Sequence, residues 1–291
     1  MVDKLVRATA VNGRIRALVV IATEVVEEAR RRHDCFPVAT AALGRSLSAG
    51  LLLGATLKES ERLTLRIVGD GPLGGIIVDT DGKGNVRGYV KNPQIDLPTK
   101  SGKLDVRGAV GKGFIYLTRD VGFKEPYTGT APLVSGEIAE DITNYLYTSE
   151  QVPSTCALGV LVNPDYSVQA AGGFLVQGLP GVEEDTLVQL EKNLLNMPPI
   201  SSLVNEADTA DHILALLFSG MDWHILTEEA VSYNCNCSKQ RLADAFICLG
   251  EQELREIYEE GQAEARCHFC NEAYKFTAQD LHDLLTKITV S

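Results

Sequence analysis

The sequence lacks an uninterrupted apolar run long enough for a membrane span. Its first 16 residues carry several charges and no continuous apolar core, so we expect no secretory signal peptide. The most apolar long stretch, residues 36–57, contains Arg45 and is diluted by alanine, glycine and serine. This composition predicts a buried core helix. We therefore expect a cytoplasmic protein without a membrane partner.

Clusters of basic residues are also lacking, and charge is divided unevenly along the chain. Residues 1–177 contain 20 Lys and Arg against 19 Asp and Glu, whereas residues 178–230 contain one Lys and ten acids. Residues 231–291 contain six basic and ten acidic residues, so the net charge of −12 arises entirely beyond residue 177. Because phosphate binding needs clustered Lys and Arg, this distribution argues against a nucleic-acid partner.

Cofactor and catalytic motifs are weak or missing. The segment GDGPLG (69–74) matches the dinucleotide pattern Gly-x-Gly-x-x-Gly, but it leads into a strand pattern and not into the helix that a pyrophosphate site needs. The segment DTDGKGNV (79–86) departs from a calcium loop at Lys83 and Val90. Five scattered histidines offer no Ser–His–Asp arrangement. We expect turns at both glycine-rich segments, no bound nucleotide and no catalytic residues.

The hydrophobic pattern divides the chain into three regions. In residues 1–177 strands follow one another with few helices between them, which favours an α+β core or substrate-binding domain with a largely antiparallel sheet. We predict helices at 24–33 and 36–57, a strand at 105–110 and a two-stranded hairpin over 155–178. Residues 178–230 are predicted to form a helical acidic linker, and residues 231–291 a small C-terminal domain.

The region 178–230 combines many leucines with acids that repel one another. Leu187, Leu190 and Leu194 fall on one face of a predicted amphipathic helix, and Asp208 can cap a second helix. Such a segment must dock its apolar face on a neighbour to be stable. Two interpretations stay open: an ordinary helical subdomain, or a marginally stable linker that melts when its neighbour lets go.

Seven cysteines in a chain without an export signal indicate metal or redox chemistry. Cys35, Cys156 and Cys248 stand alone in apolar surroundings and are predicted to be small buried residues. The other four follow the pattern C-x-C-x29-C-x2-C, in which each close pair can supply two corners of a zinc tetrahedron. These candidate ligands are Cys235, Cys237, Cys267 and Cys270. His268 is a weaker alternative ligand.

The same four thiols allow a second, oxidised state. Disulfides within each pair, Cys235–Cys237 and Cys267–Cys270, would remove the ligands and withdraw the binding energy that holds a small domain folded. Spacing alone favours a static zinc site, because most four-cysteine sites do not change state. The redox switch stays open as the alternative.

Several longer segments carry a resemblance to a known family. They are the helix at 36–57, GDGPLGGIIVDTDGKGNVRGYV (69–90), YTGTAPLVSGEIAEDITNYLYTSEQVPS (127–154), AAGGFLVQGLPG (170–181), CNCSKQR (235–241) and CHFCNEAYKF (267–276). Over nearly its whole length the chain resembles the redox-regulated heat-shock protein 33 family. One departure is VSYN (231–234), which is more polar than the family's usual lead-in to the first cysteine.

The resemblance implies a cytoplasmic, ATP-independent holdase chaperone, not an enzyme, that binds unfolding client proteins under oxidative and heat stress. In the reduced state the four cysteines would hold one zinc ion and the protein would be inactive. Oxidation would form the two disulfides within the pairs and release zinc. The linker and the C-terminal domain would then unfold, client-binding surface would be exposed, and active homodimers would form. The net charge of −9 on residues 178–230 adds an expectation of our own: exposed leucines would hold clients, while the acids would favour opening and keep the opened chaperone soluble.

Two other classes of function compete with this interpretation. A thiol–disulfide oxidoreductase could use the same cysteine pairs, although such enzymes usually place a C-x-x-C at a helix N-terminus in a βαβ setting. A zinc-stabilised nucleic-acid-binding module is disfavoured by the net charge of −4 on residues 231–291.

Overall fold

The computed structural model describes residues 2–100, 102–122, 125–206 and 210–290. The chain forms two compact units, Met1–Asn234 and Cys235–Ser291. Within the described ranges no helix is both long and apolar enough to cross a membrane. The predicted division into three regions, with boundaries at residues 177/178 and 230/231, stays a prediction.

The first unit contains two sheets and seven helices among the described residues. Its strands are β1 (Lys4–Ala10), β2 (Ile15–Ile21), β3 (Arg62–Gly69), β4 (Ile76–Asp81), β5 (Asn85–Val90), β6 (Gly113–Asp120), β7 (Tyr127–Pro132), β8 (Ser154–Val162), β9 (Val168–Gly178), β10 (Trp223–Ala230) and β11 (Ser232–Tyr233). Its helices are α1 (Thr23–His33), α2 (Pro37–Gly54), α3 (Val106–Val110), α4 (Ala139–Thr148), α5 (Glu184–Leu195), α6 (Ile200–Glu206) and α7 (Ala210–Leu217).

Both sheets are built mainly from antiparallel neighbours. One has five strands in the order β10-β1-β2-β9-β8, and the other has six in the order β11-β5-β4-β3-β6-β7, where only the short β11 runs parallel to its neighbour. The β1–β2 hairpin turns at Asn12 and Gly13, which both adopt positive φ, as an Asn-Gly turn requires. The predicted α+β class with a largely antiparallel sheet is confirmed.

Helix α2 is the centre of the first unit and packs against strands of both sheets. Pro37 occupies its first turn, where a missing N–H costs nothing. A β-carbon at Gly44 would lie 2.6 Å from a Val26 methyl and 2.9 Å from a Val160 methyl, so glycine is needed for this close approach. Arg45, the charge within the apolar stretch, reaches Glu137 at 2.7 Å. The predicted buried core helix is confirmed.

One predicted strand is a helix. Residues 106–110 form the short helix α3, because the Asp105 side chain accepts a hydrogen bond from the Gly108 amide at 2.9 Å and caps the first turn. The glycine-rich segments 69–74 and 79–86 form the expected turns between strands. The hairpin predicted over 155–178 is present as β8 and β9.

The acidic region 178–230 supplies α5, α6, α7 and strand β10. Its apolar residues pack on the outer face of the five-stranded sheet, with Leu190 buried and Leu187 and Leu194 half-buried. Strand β10 pairs with β1 in an antiparallel register and was not predicted. Asp208, the predicted helix cap, lies outside the described residues.

The second unit contains α8 (Lys239–Leu249), α9 (Glu251–Glu259), the hairpin β12 (Gln262–Arg266) with β13 (Ala273–Thr277), and α10 (Ala278–Val290). Its apolar core is small. Among the described residues the buried members are Ala243, Leu254, Phe276, Leu281 and Leu284. Phe246 meets Phe276 edge-on at 4.9 Å between ring centres.

Candidate metal centre

The β12–β13 hairpin positions Cys267 and Cys270. Strand β12 ends at Arg266 and β13 begins at Ala273, so both cysteines lie in the connecting turn. The Cys267 amide donates to the Glu272 carbonyl at 3.0 Å, and the Asn271 amide donates to the Cys267 carbonyl at 2.7 Å. Asn271 adopts a φ of 58°, a conformation that asparagine tolerates better than most residues. The turn therefore holds both thiols on one short, hydrogen-bonded loop.

The segment leading into α8 positions Cys235 and Cys237. Ser238 is the N-cap of α8, and its hydroxyl accepts a hydrogen bond from the Arg241 amide at 3.3 Å. The Arg241 guanidinium donates back to the Asn236 carbonyl at 3.0 Å. The helix start thus fixes the chain on both sides of Cys237.

The four sulfur atoms lie together. All four are within 4.8 Å of one another, and no other group of three or more candidate metal ligands occurs in the described part of the chain. Cys235 Sγ lies 3.7 Å from Cys267 Sγ, and Cys237 Sγ lies 3.3 Å from Cys270 Sγ. A tetrahedron with Zn–S bonds of about 2.3 Å has edges of about 3.8 Å. The arrangement fits a tetrahedral metal ion, and His268 is not a member of the group.

The surroundings of the two turn cysteines favour a bound cation. Burial raises the pKa of the Cys267 and Cys270 thiols, since a thiolate without a counter-charge loses its hydration there. Backbone N–H groups of Phe269 and Cys270 oppose this shift at Cys267, and that of Glu272 opposes it at Cys270. Amides directed at sulfur are the usual outer shell of a thiolate–metal site. The donor set therefore suits a soft divalent metal.

Tyr274 is a neighbour of the site that the sequence did not reveal. Its hydroxyl lies 3.3 Å from Cys237 Sγ, and donation to this sulfur raises the pKa of Tyr274 to about 12. The residue lies on β13 opposite Ala265, so the hairpin register carries its ring toward the sulfurs. A tyrosine four residues after the last cysteine was the only available signal, and it has no established meaning by itself.

The three remaining cysteines lie apart from the cluster. Cys35 and Cys156 are buried as predicted, and burial raises the pKa of each thiol to about 12. Both thiols are therefore protonated and unreactive at neutral pH. Cys248 is exposed, so the prediction that it is buried was wrong. Ala243 lies on the face of α8 that packs inward, whereas Cys248 lies on a face that is open to solvent.

Comparison with known proteins gives consistent matches along the chain. A family model described as Hsp33 protein matches residues 3–277. The 33 kDa chaperonin of Desulforamulus reducens is 50% identical over 290 residues, which cover 99% of each chain. That of Geobacillus sp. strain WCH70 is 48% identical over 98% of this chain and 97% of its own. The crystal structure of the 33 kDa chaperonin from Thermotoga maritima superposes with a TM-score of 0.95 at 38% identity and covers all of both chains.

Proposed function

This chain belongs to the Hsp33 family, and we propose that it is a redox-regulated, ATP-independent holdase that binds unfolding proteins during oxidative and heat stress. The observation that carries the regulation is the cluster of four thiols, which joins the start of the second unit to its β12–β13 turn in a unit with only a small apolar core. In a domain of about 60 residues an apolar core rarely supplies more than about 3–5 kcal/mol, so such a cross-link provides a large share of the stability.

In the reduced state Cys235, Cys237, Cys267 and Cys270 would hold one zinc ion per chain. Zinc would supply a tetrahedral cross-link between the segment before α8 and the β12–β13 turn. Bound zinc would hold the Cys267 and Cys270 sulfurs as thiolates, and the amides directed at them would support that charge. The chaperone is inactive in this state, because the acidic region 178–230 covers the apolar face of the five-stranded sheet.

Oxidation by a peroxide would convert the four thiols into the disulfides Cys235–Cys237 and Cys267–Cys270. Each pair of thiolates would give up two electrons to one hydrogen peroxide, whose O–O bond breaks and which takes up two protons from solvent to give two water molecules. In a tetrahedral set every sulfur neighbours the other three, so the geometry does not select a pairing. The proposed disulfides join the cysteines that are adjacent in the chain. The second unit then loses all four metal ligands and the binding energy that depends on them.

Unfolding of the second unit would destabilise the acidic region, because the two are joined by a short segment of chain. Only residues 231–234 separate β10 from Cys235. Val6, Ala8, Phe174 and Val176, which face the acidic region's helices, would become accessible to apolar segments of client proteins. The activated protein would form homodimers in the cytoplasm and would act as a chaperone without enzymatic activity.

The decisive experiment treats zinc-loaded protein with hydrogen peroxide at raised temperature. Zinc release, thiol count and suppression of the aggregation of an unfolding client are followed in the same samples. We expect zinc release and the loss of four thiols to accompany the appearance of anti-aggregation activity. Zinc release without that activity would reject the switch.

A thiol–disulfide oxidoreductase is the second candidate, favoured by one observation. Cys237 directly precedes the N-cap of α8, and oxidoreductases place reactive thiols at helix N-termini. Reduction of insulin disulfides by the reduced, metal-free protein would support this activity. We expect none above the rate of the uncatalysed reaction.

A further inference from the structure

Strand β10 is the outermost strand of the five-stranded sheet and covers the edge of β1. The Asp3 carbonyl accepts from the Val231 amide at one end, and the Val11 amide donates to the Asp222 carbonyl at the other. Since main-chain groups alternate in direction along an antiparallel strand, the amides of Leu5, Arg7 and Thr9 also point toward β10. Those of Lys4, Val6, Ala8 and Ala10 point toward β2.

The two strands of this pair are anchored very differently. In β1, Leu5, Val6, Ala8 and Ala10 are buried, and all seven residues pair with β2 on the other side. In β10 no residue is buried, and Leu226 is 56% exposed. Removal of β10 would therefore leave β1 in place as a straight, ordered edge.

Besides its main-chain pairing with β1, β10 is anchored by the partly buried side chains of Trp223 and Ile225 and by two ion pairs at the surface. Lys4 reaches Glu228 at 2.8 Å, and Arg7 holds Glu229 through two contacts of 3.3 Å. Both pairs are partly exposed and are weakened by salt. β10 is thus the least anchored strand of its sheet, and it lies nearest in sequence to the conditional second unit.

We propose that the β1 edge, once β10 has left it, is a client-binding edge that accepts an extended segment of an unfolded protein as an added strand. This inference rests on the proposed function, because β10 must be released by oxidation. Strand addition recognises the main chain, so it can accept unfolded segments of many sequences. An exposed edge with unpaired N–H and C=O groups is a ready template for such pairing.

The residues around the edge define which segments bind best. Lys4 and Arg7 stand toward one end of β1, and the buried apolar side chains of Ala10 and Ile15 lie at the other end. β10 itself matches both ends, with Trp223 and Ile225 in the same apolar cluster as Ala10 and Ile15, and its two glutamates near the cations. The favoured client segment is therefore extended, apolar at one end and acidic at the other.

The first test is site-resolved amide hydrogen exchange on the full-length chain. It compares the reduced zinc-loaded state, the oxidised state, and the oxidised state with reduced, carboxymethylated lysozyme as an unfolded client. On oxidation the amides of Leu5, Arg7 and Thr9 should exchange at least about tenfold faster, and client should restore their protection. The amides of Val6 and Ala8, which point toward β2, are the internal control and should stay protected throughout.

The sequence contains one tryptophan, Trp223 on β10, so strand release has its own signal. Its emission should shift to the red on oxidation, as the indole leaves Phe218, 6.1 Å away between ring centres. An oxidised chain that suppresses aggregation while Trp223 and the β1 amides stay as in the reduced state overturns the inference. So does an edge that opens but gains no protection from client.

A second test uses synthetic peptides with the β10 sequence, WHILTEEA, that differ only in backbone methylation. Thr227 and Glu229 pair with Arg7 and Leu5, so their amides point toward β1. N-methylation at these two positions should weaken binding to the oxidised chain by about tenfold, since two main-chain hydrogen bonds are lost. N-methylation at Glu228 and Ala230 is the matched control and should have little effect. Equal loss in both peptides, or no binding of the unmodified peptide, rejects strand addition.

Two further outcomes distinguish client binding at the β1 edge from failure of the proposed function and from pairing between two copies of this chain. If the oxidised chain fails to suppress aggregation at all, the proposed function itself is rejected. If the β1 amides regain protection without client as the protein concentration rises, the added strand comes from a second copy of this chain. That result overturns the client-edge inference.

Discussion

The two units of this protein differ in what holds them folded. In the first unit, α2 contributes Leu47 and Leu51 to a core that spans two sheets, and both side chains are wholly buried. In the described part of the second, five buried apolar residues share the interior with the buried Cys267 and Cys270. An apolar core is indifferent to oxidants, whereas a thiol cluster is destroyed by them. On the proposed function we therefore expect the stability of the second unit to depend on redox state, and that of the core of residues 1–177 to be independent of it.

The acidic region, residues 178–230, is intermediate in how firmly it is held. Leu190, Ile213, Leu214 and Phe218 are buried on the first unit, yet the region carries ten acids against one lysine. Its end, β10, contributes main-chain pairing and exposed ion pairs with no buried side chain. This gradient in anchoring predicts that structural loss begins in the second unit, reaches β10 next and stops at β1.

The largest expected effect comes from removing the metal. A chelator added to the reduced protein should unfold residues 235–290, loosen β10 and leave the core of residues 1–177 folded, because zinc binding to small domains is worth about 10–16 kcal/mol. Heteronuclear NMR reports both units in one spectrum. Cys267→Ser should behave like the chelated protein, whereas Cys248→Ser, at an exposed position outside the cluster, should bind zinc like the parent. A second unit that stays folded without metal would remove the basis of the comparison.

A smaller effect should separate the two apolar cores. Leu47→Ala and Leu254→Ala each empty a fully buried site, one in each unit, at a cost of about 2–5 kcal/mol. In the first unit this should lower the unfolding temperature without changing the peroxide dose needed for activation. In the second unit a similar loss approaches the whole stability, so zinc affinity and the required dose should both fall.

Calorimetry with a parallel peroxide titration measures both quantities. If Leu47→Ala lowers the activating dose as much as Leu254→Ala does, the two units are not independently stabilised. If neither variant lowers it, the apolar core of the second unit does not set its stability.

The third effect concerns the thiol cluster itself. Tyr274→Phe removes the hydroxyl that lies 3.3 Å from Cys237 Sγ. A sulfur without this donor is a stronger nucleophile, so the zinc-loaded protein should lose its thiols to peroxide faster, by roughly threefold to tenfold. Mass spectrometry of quenched samples gives the rate and the first cysteine to react. Tyr258→Phe, in the same unit but stacked near His282, is the control and should react like the parent. An unchanged rate in Tyr274→Phe would limit this tyrosine to packing.

The features that were predictable from the sequence have local signals. The α2 helix shows a continuous apolar pattern that begins with Pro37, and the spacing of the four cysteines in two close pairs predicts the sulfur cluster. The features that were missed depend on distant partners. β10 becomes a strand because β1, more than 200 residues earlier, offers an edge with matching cations. Tyr274 reaches Cys237 only through the register of the β12–β13 hairpin.

Two predictions from the sequence were wrong because they overlooked contacts at shorter range. The segment 105–110 reads as a strand by its alternating pattern, but a single cap from Asp105 closes it into a helical turn. Cys248 has apolar sequence neighbours, and its exposure follows from which face of α8 meets the small core. Helix facing is set by tertiary packing, which local composition does not encode.

The smallest effect tests whether the acids of region 178–230 act by total charge or by position. Glu228→Gln with Glu229→Gln removes the partners of Lys4 and Arg7, whereas Glu191→Gln with Asp222→Asn removes the same charge from exposed positions elsewhere in the region. The first pair should ease the release of β10, and the second should hinder it by relieving repulsion. Since an exposed ion pair contributes about 0.5 kcal/mol, the loss of two should change the activation rate by up to about fivefold, and each change should shrink at high salt. Trp223 emission during peroxide treatment measures the rate. Shifts of both double variants in the same direction would show that net charge governs opening, and the two ion pairs would then have no separate role in holding β10 on β1.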